Sequence, residues 1–162
     1  MRDALRDEGG SLALLVILLL PTILLALTGA AELGAVRVVA ERTRIAADLA
    51  TVTAVNDQDD GELARSGALR PAPDAAAVAR EHFALNLDPL SSSLAAAPAA
   101  IADAADVAVF TGNGDADPLD GRVYATSTVR LAADVPVRTP AFAALLARPV
   151  TVIHIFSASS AR

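Results

Sequence analysis

The sequence predicts an α+β fold in which one long N-terminal helix packs on a small antiparallel β-sheet. The first observation behind this prediction is an uncharged apolar run near the start of the chain that passes without a break into a segment of helical periodicity. The second is a C-terminal third in which apolar and polar residues alternate between turn-forming stretches. With 162 residues, the chain has room for one modest domain beyond such a helix.

The composition restricts both the core and the chemistry of the protein. Hydrophobic residues make up 54% of the chain but aromatic residues only 3%, so the core is expected to consist mainly of Ala, Val and Leu. Cysteine is absent from the sequence, which excludes disulfides, thiol catalysis and cysteine-ligated metals. The net charge of −6 argues against nucleic acid as a partner, because phosphate binding requires clustered positive charge.

The apolar run predicts a membrane-spanning helix. Residues 9–31 contain no charged side chain, and residues 12–31 are sufficient to cross about 30 Å of hydrocarbon as a helix. Pro21 lies within this run, and because transmembrane helices tolerate proline, a bend and not a break is expected. A cleaved signal peptide is the alternative, but its apolar region is usually only about 7 to 15 residues long.

The basic residues beside the span do not determine its orientation, because they occur on both sides: Arg2 and Arg6 precede it, and Arg37, Arg42 and Arg44 follow it. Residues 1–10 form only a short tail, whereas everything that can fold lies after the span. The simplest arrangement is a single-pass anchor with residues 1–10 in the cytoplasm and the folded part outside.

The helical pattern continues beyond the span, from Glu32 to Val55, and Glu32 is expected to mark the aqueous boundary. Residues 12–55 would then measure roughly 66 Å at about 1.5 Å per residue. The second half is amphipathic, with an apolar stripe that advances by steps of seven, four and three: Val38, Ile45, Leu49 and Val52. Charged residues on its flank have spacings that permit ion pairs within the helix: Arg37, Glu41, Arg44 and Asp48.

Small residues at four-residue spacing lie where the span ends. Ala26, Ala30 and Gly34 fall on one face, and such a face lets a second helix approach closely within a bilayer. The alternative is that they are ordinary small residues in an alanine-rich chain.

The motifs of residues 1–56 together resemble the TadE/TadG-like pseudopilins of Flp-type (tight adherence) pilus assembly systems. Members of that family have a short charged tail, a Gly-small pair, an apolar run with Pro about eleven residues on, a Gly-x-x-Glu-x-Gly motif and a helix ending in an Ala-Ala-Asp/Arg-x-Ala pattern. The corresponding residues here are EGGS at 8–11, Pro21, GAAELG with Gly29, Glu32 and Gly34, and RIAADLATVTA at 44–54.

The resemblance implies a pilin-like fold and a structural role in a Tad/Flp-type pilus or related secretion assembly, without catalysis, cofactor or metal. It also implies anchoring in a bacterial cytoplasmic membrane, with other pilin-like or Tad subunits as partners. Prepilin peptidase is a further implied partner, with cleavage between Gly10 and Ser11. Its substrates usually carry Glu five residues after the cleavage-site Gly, where this chain has Leu15, so a processed form and an uncleaved, permanently anchored form both stay open.

The middle of the chain predicts a linker followed by a small domain. Residues 57–73 are acidic and then rich in Gly and Pro, which predicts a linker, and residues 74–162 are assigned to an extracytoplasmic α+β domain. That domain is expected to open with a helix over residues 73–87 that has Asp74 as its N-cap. Residues 88–100 are of low complexity and are expected to be mobile.

The C-terminal third predicts the sheet. Residues 122–131 alternate cleanly, with Val129 and Leu131 directed to one side and Tyr124 and Arg130 to the other, as in a half-buried antiparallel strand. Further apolar segments complete the expected elements, namely strands at residues 106–110 and 150–156 and a short helix at residues 139–149.

Few residues have a spacing that suggests chemistry. Asp115, Asp117 and Asp120 cluster in a turn-rich loop and could ligate Ca²⁺, but the EF-hand spacing is absent and a solvated hairpin loop is the competing interpretation. His82 and His154 have no nearby Cys or suitably spaced carboxylate, and a packed or half-exposed strand position is expected for His154. The sequence has no nucleophile elbow or phosphate loop, so no enzyme is predicted.

The function classes that stay open are a pilus or pseudopilus component, a membrane-tethered extracytoplasmic binding module unrelated to pili and, least favoured, a secreted hydrolase.

Overall fold

The structure, a computed structural model, describes residues 4–112, 114 and 116–161, with side chains from Ala13 onward. Its first element, α1, is a single helix of 53 residues over Ala4–Asn56, which corresponds to about 80 Å at 1.5 Å per residue. The helix passes through Pro21 without a break, so the expected continuity is confirmed.

The rest of the described chain forms short helices and one three-stranded sheet. Both strand pairs are antiparallel, and the strand order is β1-β2-β3. The predicted α+β class, a long N-terminal helix on a small antiparallel sheet, is therefore confirmed. The elements after α1 are, in order, α2 (Asp60–Ser66), α3 (Ala75–Leu87), a 3₁₀ turn (Asp88–Leu90), α4 (Pro98–Asp103), β1 (Asp106–Phe110), β2 (Thr128–Arg138), α5 (Pro140–Leu146) and β3 (Val150–Ser160).

The C-terminal half of α1 packs against α3 and the sheet through alanines. Four of them are almost fully buried: Ala46, Ala47, Ala50 and Ala54. Larger side chains of α3 and β2 complete this core, among them Phe83, Leu87, Leu131 and Val135. Because alanine is small, α3 and the sheet approach the helix closely. The alanines of the RIAADLATVTA segment thus lie on the domain-facing side of α1.

The predicted apolar stripe of α1 lies on the opposite side of the helix from the core. A helix that packs on a sheet is expected to bury its large aliphatic residues, yet Val38, Ile45, Leu49 and Val52 are 44–53% exposed. The tight contact with α3 and two strands leaves room mainly for Ala and Thr side chains. The large side chains are consequently directed away from the domain.

The second strand differs from its prediction at both ends. β2 begins at Thr128, whereas the sequence pattern predicts a strand from residue 122. Residues 122–127 instead belong to a loop, in which Val123 forms an isolated bridge with Ala116. At its other end β2 continues through Pro136. Proline has no N–H to donate to a neighbouring strand, but β1 has already ended at this point of β2. The backbone amide of Ala95 donates a 2.8 Å hydrogen bond to the Pro136 carbonyl.

Two segments predicted to be irregular contain ordered structure. The 57–73 linker includes α2, whose N-cap residue Asp59 accepts a hydrogen bond from the Glu62 amide. Residues 88–100, predicted to be mobile, pack onto the domain through two buried leucines, Leu90 and Leu94. Burial of these side chains outweighs the alanine-rich and serine-rich composition that suggested mobility.

The remaining elements agree with their predictions to within a few residues. α3, β1 and α5 occur where they are expected, and β3 extends past Phe156 to Ser160. Asp74 occupies the N-cap of α3, but its side chain makes no capping hydrogen bond, so that part of the prediction is wrong.

Candidate functional site

The segment of α1 over residues 13–31, called the apolar half below, carries no charged side chain, and no part of the domain buries it. Its most apolar window has a mean hydropathy of 2.5 and is entirely unburied. Its exposed side chains include Leu14, Ile17, Leu20, Leu24 and Leu27. Among the described residues this is the one helix whose length and composition suit a membrane crossing. The backbone at Gly10 and Ser11 is helical, and the exposure of these two residues is not described.

The predicted small-residue face is not covered by the domain. Ala26, Ala30 and Gly34 are all exposed. A Cβ atom placed on Gly34, or on the nearby Gly29, would meet no atom within 4 Å. The face therefore has the space that another helix would need for close approach, and its packing role stays a prediction.

Glu32 joins the apolar half of α1 to the domain. The Phe142 backbone amide donates a 2.8 Å hydrogen bond to Glu32 Oε2, and Glu32 is only 8% exposed. Phe142 lies in the first turn of α5, where backbone amides have no partner within their own helix and a carboxylate is favoured. Glu32, which was expected to mark the aqueous boundary, thus caps the N-terminus of α5, a helix that is distant in sequence.

A groove of about 810 Å³ lies beside this junction. Its walls come from α1, from α5, from the segment that precedes α4 and from the adjoining ends of β2 and β3, and most of the lining is apolar. The charged residues in its lining are Glu32 and Arg138. The groove starts at Thr28, so it opens where the apolar half of α1 ends.

A ladder of hydroxyl groups fastens the far end of α1 to β3. Thr51 Oγ1 lies 3.0 Å from Ser157 Oγ and 2.8 Å from Ser159 Oγ. Ser157 in turn donates to the Asp48 carboxylate at 2.6 Å. Within the described residues the ion pairs that the spacing of Asp48 and its charged neighbours permits do not form, and Asp48 accepts a hydrogen bond from the sheet instead.

The outer face of the sheet carries a buried charge cluster that sequence reasoning missed. Arg130 was predicted to point outward to solvent, but its side chain is 1% exposed and its Nε lies 2.9 Å from Asp117 Oδ2. Its Nη2 donates to Asp106 Oδ2 at 3.1 Å. The loop between β1 and β2 covers this face and supplies Asp117. The sequence signal for this cluster was the set of acidic residues in that loop, because a buried carboxylate requires a cation nearby.

The aromatic residues beside this cluster form a small packed pair. The Tyr124 ring lies on that of Phe110, with centroids 4.9 Å apart. The Tyr124 hydroxyl is buried and has no hydrogen-bond partner among the described residues. Burial raises the pKa of Tyr124 above its ordinary value of 10.0, and the negative charges of Asp120 and Asp117 raise it further.

The loop carboxylates considered for calcium have other partners. Asp115 lies outside the described residues. Asp117 faces Arg130 and also accepts a hydrogen bond from the Leu119 amide, and Asp120 pairs with Arg122 at 3.2 Å. Within the described part of the chain, no group of three His, Cys, Asp or Glu residues could hold a metal ion. The interpretation as a simple solvated hairpin is wrong for Asp117, which is buried.

His154 lies in β3 as expected, but it is more exposed than the packed or half-exposed position predicted for it, and it has a carboxylate partner. Asp134 is its register partner across the β2–β3 pair, and its Oδ1 lies 2.5 Å from His154 Nδ1. Both side chains are largely exposed, so the pair lies on the open face of the sheet. Sequence spacing could not reveal this contact because it depends on the strand register.

Comparison with known proteins adds no family assignment: no protein-family model, curated protein or solved structure matches this chain. The resemblance to TadE/TadG-like pseudopilins therefore stays a prediction from the motifs.

Proposed function

We propose that this protein is a membrane-anchored, pseudopilin-like structural component of a Tad/Flp-type pilus or a related secretion assembly. The observation that carries the proposal is the division of α1 into an uncovered apolar half and a half that is built into the domain core. A single helix of this kind anchors the chain and holds the domain at a fixed place outside the bilayer. The proposed role is structural, without catalysis or a cofactor, with the N-terminus in the cytoplasm and the domain outside the cytoplasmic membrane.

The exposed stripe of α1 supports packing against other subunits. Ile45 and Leu49 lie on the side of the helix opposite to Ala47 and Ala50, which face the domain. A neighbouring subunit anchored in the same membrane could therefore lay its own helix along this stripe without meeting the domain. The partners proposed are accordingly other pilin-like or Tad assembly subunits.

The first test is the intact mass and N-terminal sequence of the protein recovered from a native membrane fraction. A start at Ser11 would support processing by prepilin peptidase after Gly10, despite Leu15. Retention of Met1 or Arg2 would support the uncleaved, permanently anchored form. A start beyond Ala31 would overturn the proposal, since the anchor would then be a removed signal peptide.

The second test concerns the small-residue face. Ala30→Leu is expected to weaken self-association or subunit association in a bilayer crosslinking assay, because the larger side chain prevents close approach. Thr28→Leu is the matched control, since Thr28 is also exposed but lies on nearly the opposite side of the helix. Equal crosslinking of Ala30→Leu and the parent chain would count against this face.

The groove beside Glu32 favours one alternative, a membrane-tethered extracytoplasmic binding module unrelated to pili. That function predicts that a chain starting at Thr28, which keeps every residue of the groove lining, folds alone and binds a small apolar ligand in the groove. Binding that disappears when Ala143 in the groove lining is enlarged to Phe would favour this alternative. Copurification of pilin-like subunits with the full chain would favour the assembly role.

A further inference from the structure

α5 is a short helix built entirely from apolar residues. Its sequence, PAFAALL, contains no polar side chain, and none of its residues is buried. The two leucines at its end are among the exposed hydrophobic residues: Leu145 is 43% and Leu146 is 65% exposed. An exposed apolar surface does not stabilise a small acidic domain in water, so α5 is suited to contact with an apolar phase.

The contact with Glu32 determines where α5 lies along α1. The hydrogen bond from the Phe142 amide to Glu32 places α5 beside the first charged residue after the apolar half of the helix. A bilayer that surrounds the apolar half has a hydrocarbon thickness of about 30 Å, which residues 12–31 span. α5 therefore lies at the level where hydrocarbon meets lipid headgroups on the domain side.

Arginines flank α5 at this level. Arg138 directly precedes its N-cap and Arg148 follows its end, and both are exposed. Thr139 holds the two ends of the segment together, because its hydroxyl donates to the Arg148 carbonyl at 2.9 Å. The acidic cluster that follows α1 lies at the other end of that helix, at Asp57, Asp59, Asp60 and Glu62. Although the chain carries a net charge of −6, the exposed charges that flank α5 are thus basic.

We propose that α5 is a membrane-surface helix. Leu145 and Leu146 enter the edge of the hydrocarbon layer, and Arg138 and Arg148 bind the phosphate groups of lipids in the same leaflet. The proposal rests on the membrane-anchoring part of the proposed function and not on any pilus. Together with the Glu32 contact, it gives the domain two attachments to the membrane, so that the domain keeps one orientation relative to the bilayer.

The absence of cysteine permits a direct test, since a single introduced cysteine is a unique labelling site. The full chain with Leu146→Cys carries an environment-sensitive fluorophore and is reconstituted in vesicles of phosphatidylglycerol and phosphatidylethanolamine. Quenching by brominated lipids reports contact with hydrocarbon, and quenching by iodide reports contact with water. Leu85→Cys on α3 is the matched control, with 54% exposure on another helix, and Leu24→Cys reports the anchor itself.

The proposal expects the Leu146 label to be quenched by brominated lipid and protected from iodide, as for Leu24, while the Leu85 label behaves in the opposite way. Iodide access at Leu146 equal to that at Leu85, with Leu24 in lipid, would overturn the role of α5 and leave the anchor intact. Iodide access at Leu24 would overturn the anchor as well. A second outcome would also overturn the proposal: the Leu146 label is protected from iodide but not quenched by brominated lipid, and the protection disappears when the protein is diluted in lipid. That result would show that a second copy of the chain covers α5.

A separate variant tests the contact between Arg148 and lipid phosphate. Arg148→Glu is expected to reduce the lipid-inserted population by about fivefold or more in the anionic vesicles, and by less in vesicles of phosphatidylcholine. The control is Arg65→Glu, at an exposed position on α2 and far from the membrane in sequence and structure. An equal effect of the two variants would contradict specific contact between Arg148 and lipid phosphate.

Discussion

Arg130 and Asp117 form an ion pair in which both side chains are buried, with 2.9 Å between Nε and Oδ2 and side-chain exposures of 1% and 0%. Arg130 belongs to β2 and Asp117 to the loop that precedes it, so the pair fastens this loop over the outer face of the sheet. The other face of β2 packs against α1 and α3 through Val129 and Leu131. The central strand is consequently covered on both faces where it begins.

Asp117→Ala is expected to destabilise the domain by about 3–5 kcal/mol, because it removes the buried partner of the Arg130 guanidinium and leaves only Asp106, whose side chain is 58% exposed. Chemical denaturation followed by circular dichroism measures the loss. The control is Asp120→Ala, which removes the exposed pair with Arg122 and should cost only about 0–1 kcal/mol. Similar losses for the two variants would show that the loop does not depend on the buried pair.

The hydroxyl ladder predicts different effects for two threonines of the same helix. Thr51→Val removes the bonds to Ser157 and Ser159 and should reduce the free energy of unfolding by about 1–3 kcal/mol, since buried hydroxyls lose a partner. Thr53→Val is the control, because Thr53 is exposed and bonds only the Leu49 carbonyl of its own helix. A comparable loss from Thr53→Val would contradict a specific role of the ladder.

The orientation of α1 can be tested by exchanging side-chain size on its two faces. Ala50→Leu should destabilise the domain by about 1–3 kcal/mol, because Ala50 is fully buried and a larger side chain overpacks the contact. Leu49→Ala should change stability by less than about 0.5 kcal/mol, because Leu49 is 52% exposed. Thermal unfolding of the two variants measures both. The reverse order would mean that the aliphatic stripe faces the core after all.

Glu32 is predicted to protect the start of α5 from opening. Glu32→Ala removes the acceptor for the Phe142 amide, and a lost cap costs about 0.5–2 kcal/mol. Hydrogen exchange at Phe142 should accelerate, while exchange at amides of β2 stays unchanged. Glu32→Gln keeps a side-chain oxygen and is expected to restore part of the protection. Unaltered exchange at Phe142 in Glu32→Ala would contradict the capping contact.

Alkaline titration should detect the raised pKa of Tyr124. The chain has one tyrosine and no tryptophan, so the near-ultraviolet absorbance of tyrosinate reports this residue alone. The folded pKa is above 10.0, so the folded state holds the phenol proton more tightly than the unfolded state does. This contribution to stability is fully present below pH 10.0 and is lost as the pH rises through the folded pKa. Asp120→Asn should lower the midpoint, and a parent midpoint at or below 10.0 would contradict the burial of the ring.

Local patterns were sufficient for the elements that depend on nearby residues. The uncharged run and the breaker-free segment after it determined α1, including its passage through Pro21. Short apolar segments located β1 and β3, and the α+β class followed from these elements together. In each case the signal is a periodicity or a cap within a few turns of the chain, which is information that the sequence carries directly.

The faces, partners and exact limits of these elements depended on contacts between distant residues. The sequence by itself determined a long helix with an apolar half and a two-faced half, followed by strands. Only the tertiary structure decided that the alanines of α1 face the core, that Arg130 is buried against Asp117 and that Glu32 caps α5. These outcomes depend on how closely elements far apart in sequence can approach, and on where each buried charge finds its partner, neither of which a local pattern contains.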